Sequence, residues 1–389
     1  MPEGDSTISV SSDIKEYALR LGYDRVGFTP AESFPIYQRE LSSRLHMYDW
    51  AMGDNQRLLR AADPRNAMPE ARTIVVAVYD YFKKSFPPKM VGRIGRLYLG
   101  HGGGTPLPIP RARYRLLREF LEKQGFFTSR GGVNPPARQA GARAGVTTFG
   151  KNCFAFAEGI GSFIEIDTLV IDGELEYDRP TMQVSCPDKC TLCIDACPTG
   201  ALYEPLRMNP LMCVAYNSYA TPGSFLGDGQ TVLPMDIRER MGVWTYGCDI
   251  CQQVCPHNQP RLKAKLPPHA YTAQVAADFR LEKLLNMSAE YFRNKVYPLL
   301  HYIKDGRYVQ RNVAVALGNL GQEEAVPHLA RAMRDPDELV RGHAAWALGR
   351  IGGRGAMEIL EGSLATECSE YARSEIIAAS GVSRSTGGY

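Results

Sequence analysis

Eight of the ten cysteines fall between residues 186 and 255, and their spacing constrains this chain more than any other feature. The stretch opens with Cys-Pro-Asp-Lys-Cys-Thr-Leu-Cys-Ile-Asp-Ala-Cys-Pro over 186–198, passes Cys213, and closes with Cys-Asp-Ile-Cys-Gln-Gln-Val-Cys-Pro over 248–256. A cubane of four irons needs one thiolate at each iron. Paired Cys-x-x-Cys-x-x-x-Cys-Pro runs supply three from one tight loop and send the fourth cysteine to a second cluster. A single zinc ion takes four thiolates and fits two interleaved runs poorly. The expectation is two 4Fe-4S clusters, and a chain that handles electrons. With the crossover applied, the first cluster takes Cys186, Cys190, Cys193 and Cys255, and the second takes Cys197, Cys213, Cys248 and Cys251. Three residues separate Cys186 from Cys190 where the run ordinarily has two, so Pro187 stands at the usual place of the first thiolate. Cys153 and Cys368 lie outside both sets and read as buried packing cysteines.

At 389 residues the chain suits two or three domains, each able to bury its own core. The N-terminus shows no basic segment leading into an apolar one, and no apolar run approaches the roughly 18 residues of a membrane span. A cytoplasmic monomer that does not cross a membrane is expected. In that compartment, cysteines at ligand spacing are metal ligands and not disulfides.

Before the cysteines the pattern is mixed. Ile14, Tyr17, Ala18 and Leu21 recur at helical spacing behind a capping Ser11 or Ser12, and Gly22 closes that helix. Residues 24–28 read as a strand, 37–47 as a helix, and the β-branched run Thr73–Tyr79 as a buried strand. Residues 100–110 form a glycine- and proline-rich loop whose spacing is not that of a dinucleotide fingerprint. An amphipathic helix follows over 111–125. Residues 162–171 and 174–177 flank Asp172-Gly173, the pattern of a β-hairpin. The expected fold class is therefore α+β, a sandwich-like N-terminal domain with helices in one layer and hairpins in the other, over 1–180. A ferredoxin-like two-cluster domain over 181–299 follows.

The tail repeats itself. Val309–Gly318 matches Val340–Gly349 at a period of 31, and a weaker third copy starts at Tyr371. Helices patterned in this way must stack to cover their apolar faces, which makes 300–389 a set of HEAT-like helical repeats.

The net charge of +3 conceals a strong local bias. Residues 83–151 carry 14 basic side chains against only Glu119 and Glu122. So one-signed a segment suggests an anionic partner, either polyphosphate or nucleic acid, or a phosphate-bearing cofactor.

Several short motifs in order carry a resemblance. They are Asp24-Arg-Val-Gly-Phe28, Asp63-Pro-Arg65, Pro69–Val76, Gly92-Arg-Ile-Gly-Arg96, Arg143-Ala-Gly145, Phe149-Gly-Lys-Asn152, Gly161-Ser162, Cys193–Ala201 and Gly247–Pro256. Over roughly residues 10–265 the chain resembles the epoxyqueuosine reductase family, relatives of the corrinoid reductive dehalogenases. That resemblance implies a cobalamin held by the N-terminal domain and reduced through the two clusters by a low-potential electron donor. It also implies removal of the epoxide oxygen of epoxyqueuosine in a tRNA anticodon loop. Gly150, Lys151, Asn152 and Arg143 are the implied cofactor contacts. The family's acid is expected about a dozen residues before Arg143, where this chain reads Ser129-Arg-Gly-Gly-Val-Asn-Pro-Pro136 without a carboxylate. Tyr114 and His101 then stand as candidate proton donors. A diverged reductase acting on another small electrophile, and a non-catalytic electron carrier docking through its repeats, are the alternatives.

Overall fold

A computed structural model describes residues 4–53, 56–101, 109–131, 133–181, 186–223 and 230–381. By compactness the chain divides into two units, neither continuous in sequence. The first comprises 1–85, 106–210 and 250–267, and the second 86–105, 211–249 and 268–389. The linear order of 1–180, 181–299 and 300–389 is thus not the order of the compact units, because the cysteine-rich segment contributes to both.

The first unit is built on three antiparallel strands. Thr73–Asp80 lies at the centre, with Arg25–Pro30 on one side and Ile164–Ile171 on the other. Seven of the eight residues of the central strand are buried. Its side chains alternate faces, and the alternation feeds two cores. Val75 and Ala77 join Ile14, Ala18, Phe28, Leu117, Leu121 and Leu169 on one side. Ile74 and Val76 join Phe34, Met68, Ala140, Ala144 and Val170 on the other. A strand apolar on both faces needs cover on both, so helices lie on both sides of the sheet, not in one layer as expected. The helices Gly4–Arg20 and Ile109–Lys123 close the first face. Tyr17 stacks on Phe120 with ring centroids 4.0 Å apart, a contact of about 1 kcal/mol beyond its buried area. The helix Ala137–Arg143 closes the second. There the backbone of Gly27 meets the end of that helix so closely that a β-carbon would stand 2.4 Å from the Ala144 carbonyl oxygen.

Two local expectations change. The first helix runs through Ser11, whose hydroxyl accepts from the Glu176 N–H instead of capping the helix. The hairpin at Asp172-Gly173 does not form. Thr128 bridges Ile171 and the Ser129 N–H donates to the Val170 carbonyl, so the edge a returning strand would need is taken. The chain after Gly173 crosses instead to the opposite edge of the sheet, where Asp178 and Phe28 exchange hydrogen bonds through both N–H groups.

In the second unit, the helices Gly306–Leu320, Glu338–Ile351 and Glu370–Ser380 pack in succession, with Val326–Ala332 and Arg354–Leu364 as the returning helix of each pair. Asp305, Asp337 and Ser369 cap the three leading helices through their side chains. The glycines repeated at 318 and 349 sit where helices touch. A β-carbon at Gly318 would stand 2.9 Å from the Ala347 Cα, and one at Gly349 would stand 2.8 Å from the Ala379 Cβ. The 31-residue period in the sequence is therefore a period of helix contacts. Among the described residues no helix is long and apolar enough to cross a membrane.

Candidate functional site, a four-thiol pocket

The first cysteine run wraps a short helix, Leu192–Asp195, which packs against a second short helix, Ile250–Gln253. Cys186, Cys190, Cys193 and Cys255 line one pocket in the first unit, together with Lys151, Asn152, Phe156, Leu192 and His257. The thiols sense one another. Burial, then the neighbouring Cys186, Cys255 and Cys190, pushes the Cys193 thiol up to about 11. Burial, with smaller contributions from Cys186 and Cys190, likewise raises Cys255. Four thiols gathered in one pocket, two of them made reluctant to ionise by burial, are suited to a group that supplies positive charge to all of them.

Two sets of buried contacts hold the walls. Asn258 is fully buried. Its Oδ1 accepts from the Ser162 N–H at 2.8 Å, and its Nδ2 donates to Ser162 Oγ at 2.9 Å and to the Gln252 carbonyl at 2.8 Å. Ser162 Oγ donates in turn to Gln252 Oε1. Gly161, at φ +89°, lets the chain pass, since a β-carbon there would lie 2.2 Å from Asn258 Oδ1; a side chain in that left-handed region is strained even without the clash. The Gly161-Ser162 pair therefore anchors the turn after Cys255.

The second set is the Gly-Lys-Asn at 150–152. The Lys151 ammonium donates to the carbonyls of Pro187 (2.8 Å), Asp188 (2.6 Å) and Cys190 (3.1 Å), and the Lys151 N–H donates to Cys186 Sγ at 3.3 Å. Asn152 is buried and donates to the Cys251 carbonyl. Gly150 has no room for a β-carbon, which would stand 2.0 Å from the Phe156 ring. These residues, read from the sequence as cofactor contacts, are committed to the cysteine loops. Arg143 is elsewhere. It donates to the carbonyls of Glu32 and Ser33 and lies over the Phe34 ring, beside a separate cleft that includes Arg65 and Arg72.

The candidate proton donors do not join the thiol pocket. Tyr114 packs against the core of the first sheet face and its hydroxyl donates to the Thr168 carbonyl at 3.4 Å; burial raises its pKa. Residues 102–108 and the His101 side chain lie outside the described residues. Cys153 is half-buried at φ +66° and Cys368 is exposed, so neither is the buried packing cysteine expected. Both sit in loops, at 150–154 and just before the helix Glu370–Ser380.

In the second unit, Cys213 caps the helix Val214–Tyr219 and Cys248 follows the Tyr246-Gly247 turn. Both thiols face the buried Tyr219, whose pKa burial raises, with smaller contributions from the two cysteines. The first repeat helix fixes these segments. Fully buried Arg311 donates to the carbonyls of Asn217, Gln230 and Thr231, and Asn312 donates to those of Ser218 and Thr245. Burial brings Arg311 down to about 9. Sequence reasoning missed Arg311, Asn312, Asn258 and Gln252. The signal was there for the first pair: Gln310-Arg311-Asn312 interrupts a stripe that is otherwise apolar.

The basic segment 83–151 divides between the units, Lys89, Arg93 and Arg96 belonging to the second. Many of its charges are engaged. Arg96 pairs with buried Asp249, whose carboxyl burial raises. Arg113 donates to the Leu21 carbonyl and lies 3.9 Å from the Tyr79 ring centroid. Arg118 and Arg130 converge on Glu122.

A sheet covered on both faces, a thiol pocket on its cysteine loops and a stack of paired helices define the class: a two-cluster iron–sulfur protein with an α+β domain and helical repeats. Comparison agrees part by part, since residues 186–258 match a 4Fe-4S double cluster binding domain and residues 297–381 match HEAT repeats. The chain is 29% identical over 375 residues to the epoxyqueuosine reductase of Bacillus subtilis, with 94% of each chain covered. A solved structure from Bacillus subtilis, in which the catalytic aspartate loop has swung out of the active site, superposes with a TM-score of 0.78 at 28% identity, covering 96% of this chain and 98% of that one. An epoxyqueuosine reductase solved with an epoxyqueuosine-modified tRNA-Tyr stem loop gives 0.75 at 27% identity with the same coverage. The chain belongs to the epoxyqueuosine reductase family.

Proposed function

We propose that this protein is an oxidoreductase of the epoxyqueuosine reductase type, which takes electrons through two 4Fe-4S clusters to reduce epoxyqueuosine in tRNA. The observation that carries it is the pocket of four thiols, Cys186, Cys190, Cys193 and Cys255, in a chain that matches these reductases over almost its whole length. Those four would hold the first cluster, and Cys197, Cys213, Cys248 and Cys251 the second, by the crossover their spacing implies. Removing an epoxide oxygen as water takes two electrons and two protons and leaves an alkene; when bound, the two cubanes would supply one electron each.

The family resemblance brings in cobalamin as the group at which the substrate is reduced. Gly150, Lys151, Asn152 and Arg143 are engaged by cysteine-loop and backbone carbonyls and do not fit as its contacts. The chain's own part in the reaction is to hold the clusters and the tRNA. The exposed charges of the basic segment that make no ion pair or side-chain hydrogen bond among the described residues, Lys84, Lys89, Arg111 and Lys123, are those that would meet tRNA phosphates, Arg115 being paired with Glu119.

A second reading has one observation in its favour. No Asp or Glu occurs between Glu122 and Glu158, so the proton donor differs from an aspartate on that stretch, as a diverged reductase acting on another small electrophile would require. Anaerobic turnover of epoxyqueuosine-containing tRNA, with cobalamin and a low-potential reductant added, separates the two. Protein reconstituted to about eight irons per chain should yield queuosine in the tRNA digest; no product from fully loaded protein would refute the tRNA reading.

A further inference from the structure

We propose that Lys151 is the positioning residue of the first cluster: its ammonium clamps the lengthened loop between Cys186 and Cys190 so that Cys186 reaches an iron, and its charge raises that cluster's reduction potential. The proposal rests on the ligand set assigned above. The loop carries one residue more than the usual spacing, so its geometry is not set by the cysteine run alone. A flexible insertion next to a ligand must be held by something, and three of its carbonyls, those of Pro187, Asp188 and Cys190, converge on one nitrogen at 2.6–3.1 Å. An ammonium has three donors and no acceptor, so this set uses its whole capacity. The same residue's backbone N–H donates to Cys186 Sγ at 3.3 Å, which orients the thiol. Lysine is the residue type for this task, because a compact point charge meets three divergent carbonyls where a planar guanidinium would not.

The electrostatic consequence follows from sign alone. Accepting an electron makes a cubane more negative, and a cation at the pocket wall favours that state. Contacts from outside the ligands set potential and ligand order in metal centres generally.

The test compares Lys151→Met and Lys151→Arg with the unmodified holoprotein, and adds Cys186→Ser as a check on the ligand set. In Lys151→Met, half of the irons should be lost to a chelator about tenfold faster, the order expected when a charge-assisted hydrogen bond is removed. The other half should leave at the original rate. Spectroelectrochemistry should show one of the two midpoints displaced downward. Lys151→Arg keeps the charge, so it should restore the midpoint while only partly restoring iron retention. Unchanged chelation and midpoint in Lys151→Met, or equal acceleration for all of the irons, would overturn the proposal. If instead Cys186→Ser retains both clusters with unaltered spectra, the assignment of Cys186 as a ligand is what fails.

Discussion

Replacing Asn258 by Ala removes a side chain that satisfies three partners at once. The buried Ser162 N–H loses its acceptor, whereas the Gln252 carbonyl keeps the Cys255 N–H at 3.3 Å; Ser162 Oγ loses a donor but keeps its own bond to Gln252. An orphaned buried group costs about 1–3 kcal/mol, which places the local penalty near 2 kcal/mol. That energy is expressed as opening of the segment that ties Ser162 to the turn after Cys255, not as global unfolding, because a chain of two units need not melt in one step. A penalty of about 2 kcal/mol corresponds to roughly a thirtyfold rise in the open population, which hydrogen exchange at the Ser162 amide reads directly. Asn258→Asp separates the components. It keeps an acceptor for the Ser162 N–H but loses the donor to Gln252, so protection at Ser162 should survive while irons bound near Cys255 become easier to chelate. If Asn258→Ala leaves the exchange rate of the Ser162 amide within about threefold of the original, the network does not hold this wall of the pocket and the reasoning is wrong.

The glycines of the repeats give a contrast in sign. Gly349→Ala places a methyl 2.8 Å from the Ala379 Cβ and should cost about 1–3 kcal/mol, whereas Gly362→Ala meets nothing within 4 Å in the helix Arg354–Leu364 and should stabilise by roughly 0.5–1 kcal/mol; thermal unfolding of the two variants checks the opposed shifts. Acid should loosen the same repeats through Glu367. The Arg341 guanidinium, bidentate at 2.7 and 2.8 Å, and the Ser369 N–H hold its carboxyl below the usual range. A carboxylate with a lowered folded pKa contributes stability above its unfolded pKa of about 4.3 and loses it as pH falls through the folded value. The midpoint temperature should therefore drop as pH is taken from about 5 toward 3, and Glu367→Gln should flatten that part of the profile.

What could be read in the sequence was whatever repeats along the chain or sits within one turn. The cysteine spacing announced the clusters, the 31-residue period announced the stacked helices, and the β-branched run Thr73–Tyr79 announced the central strand, because each is a local pattern with a local cause. The same patterns misled where a distant segment decides. Asp172-Gly173 is a sound hairpin signal, yet residues 128–129 occupy the edge it needed. Ser11 can cap a helix, yet it serves Glu176 across the fold. The Gly-Lys-Asn at 150–152 was read as cofactor contacts, yet Lys151 meets the carbonyls of the cysteine loop: which carbonyls a lysine meets depends on a loop 36 residues away.

The basic segment shows why composition alone overstates function. Fourteen cations against two acids within 69 residues looks like an anion-binding surface, but a charge can meet a phosphate only if it is neither buried nor already paired. Arg96 is spent on Asp249 in the second unit, Arg113 on the Leu21 carbonyl and two tyrosine rings, Arg143 on the Glu32 and Ser33 carbonyls, and Lys151 on the cysteine loop. Each of these cations holds a part of the fold in place, and three of them sit in the motifs that carry the resemblance read from the sequence: Arg96 ends Gly92–Arg96, Arg143 opens Arg143–Gly145, and Lys151 lies in Phe149–Asn152. The excess of positive charge is therefore to a large extent structural, the counterpart of exposed backbone carbonyls and not of a ligand, and the share left for tRNA is the exposed Lys84, Lys89, Arg111 and Lys123, since Arg115 pairs with Glu119. Four contacts of that kind give a salt dependence of only about three to four in log–log slope, so a tRNA affinity that falls much more steeply with salt would mean that phosphates are met by a surface other than segment 83–151.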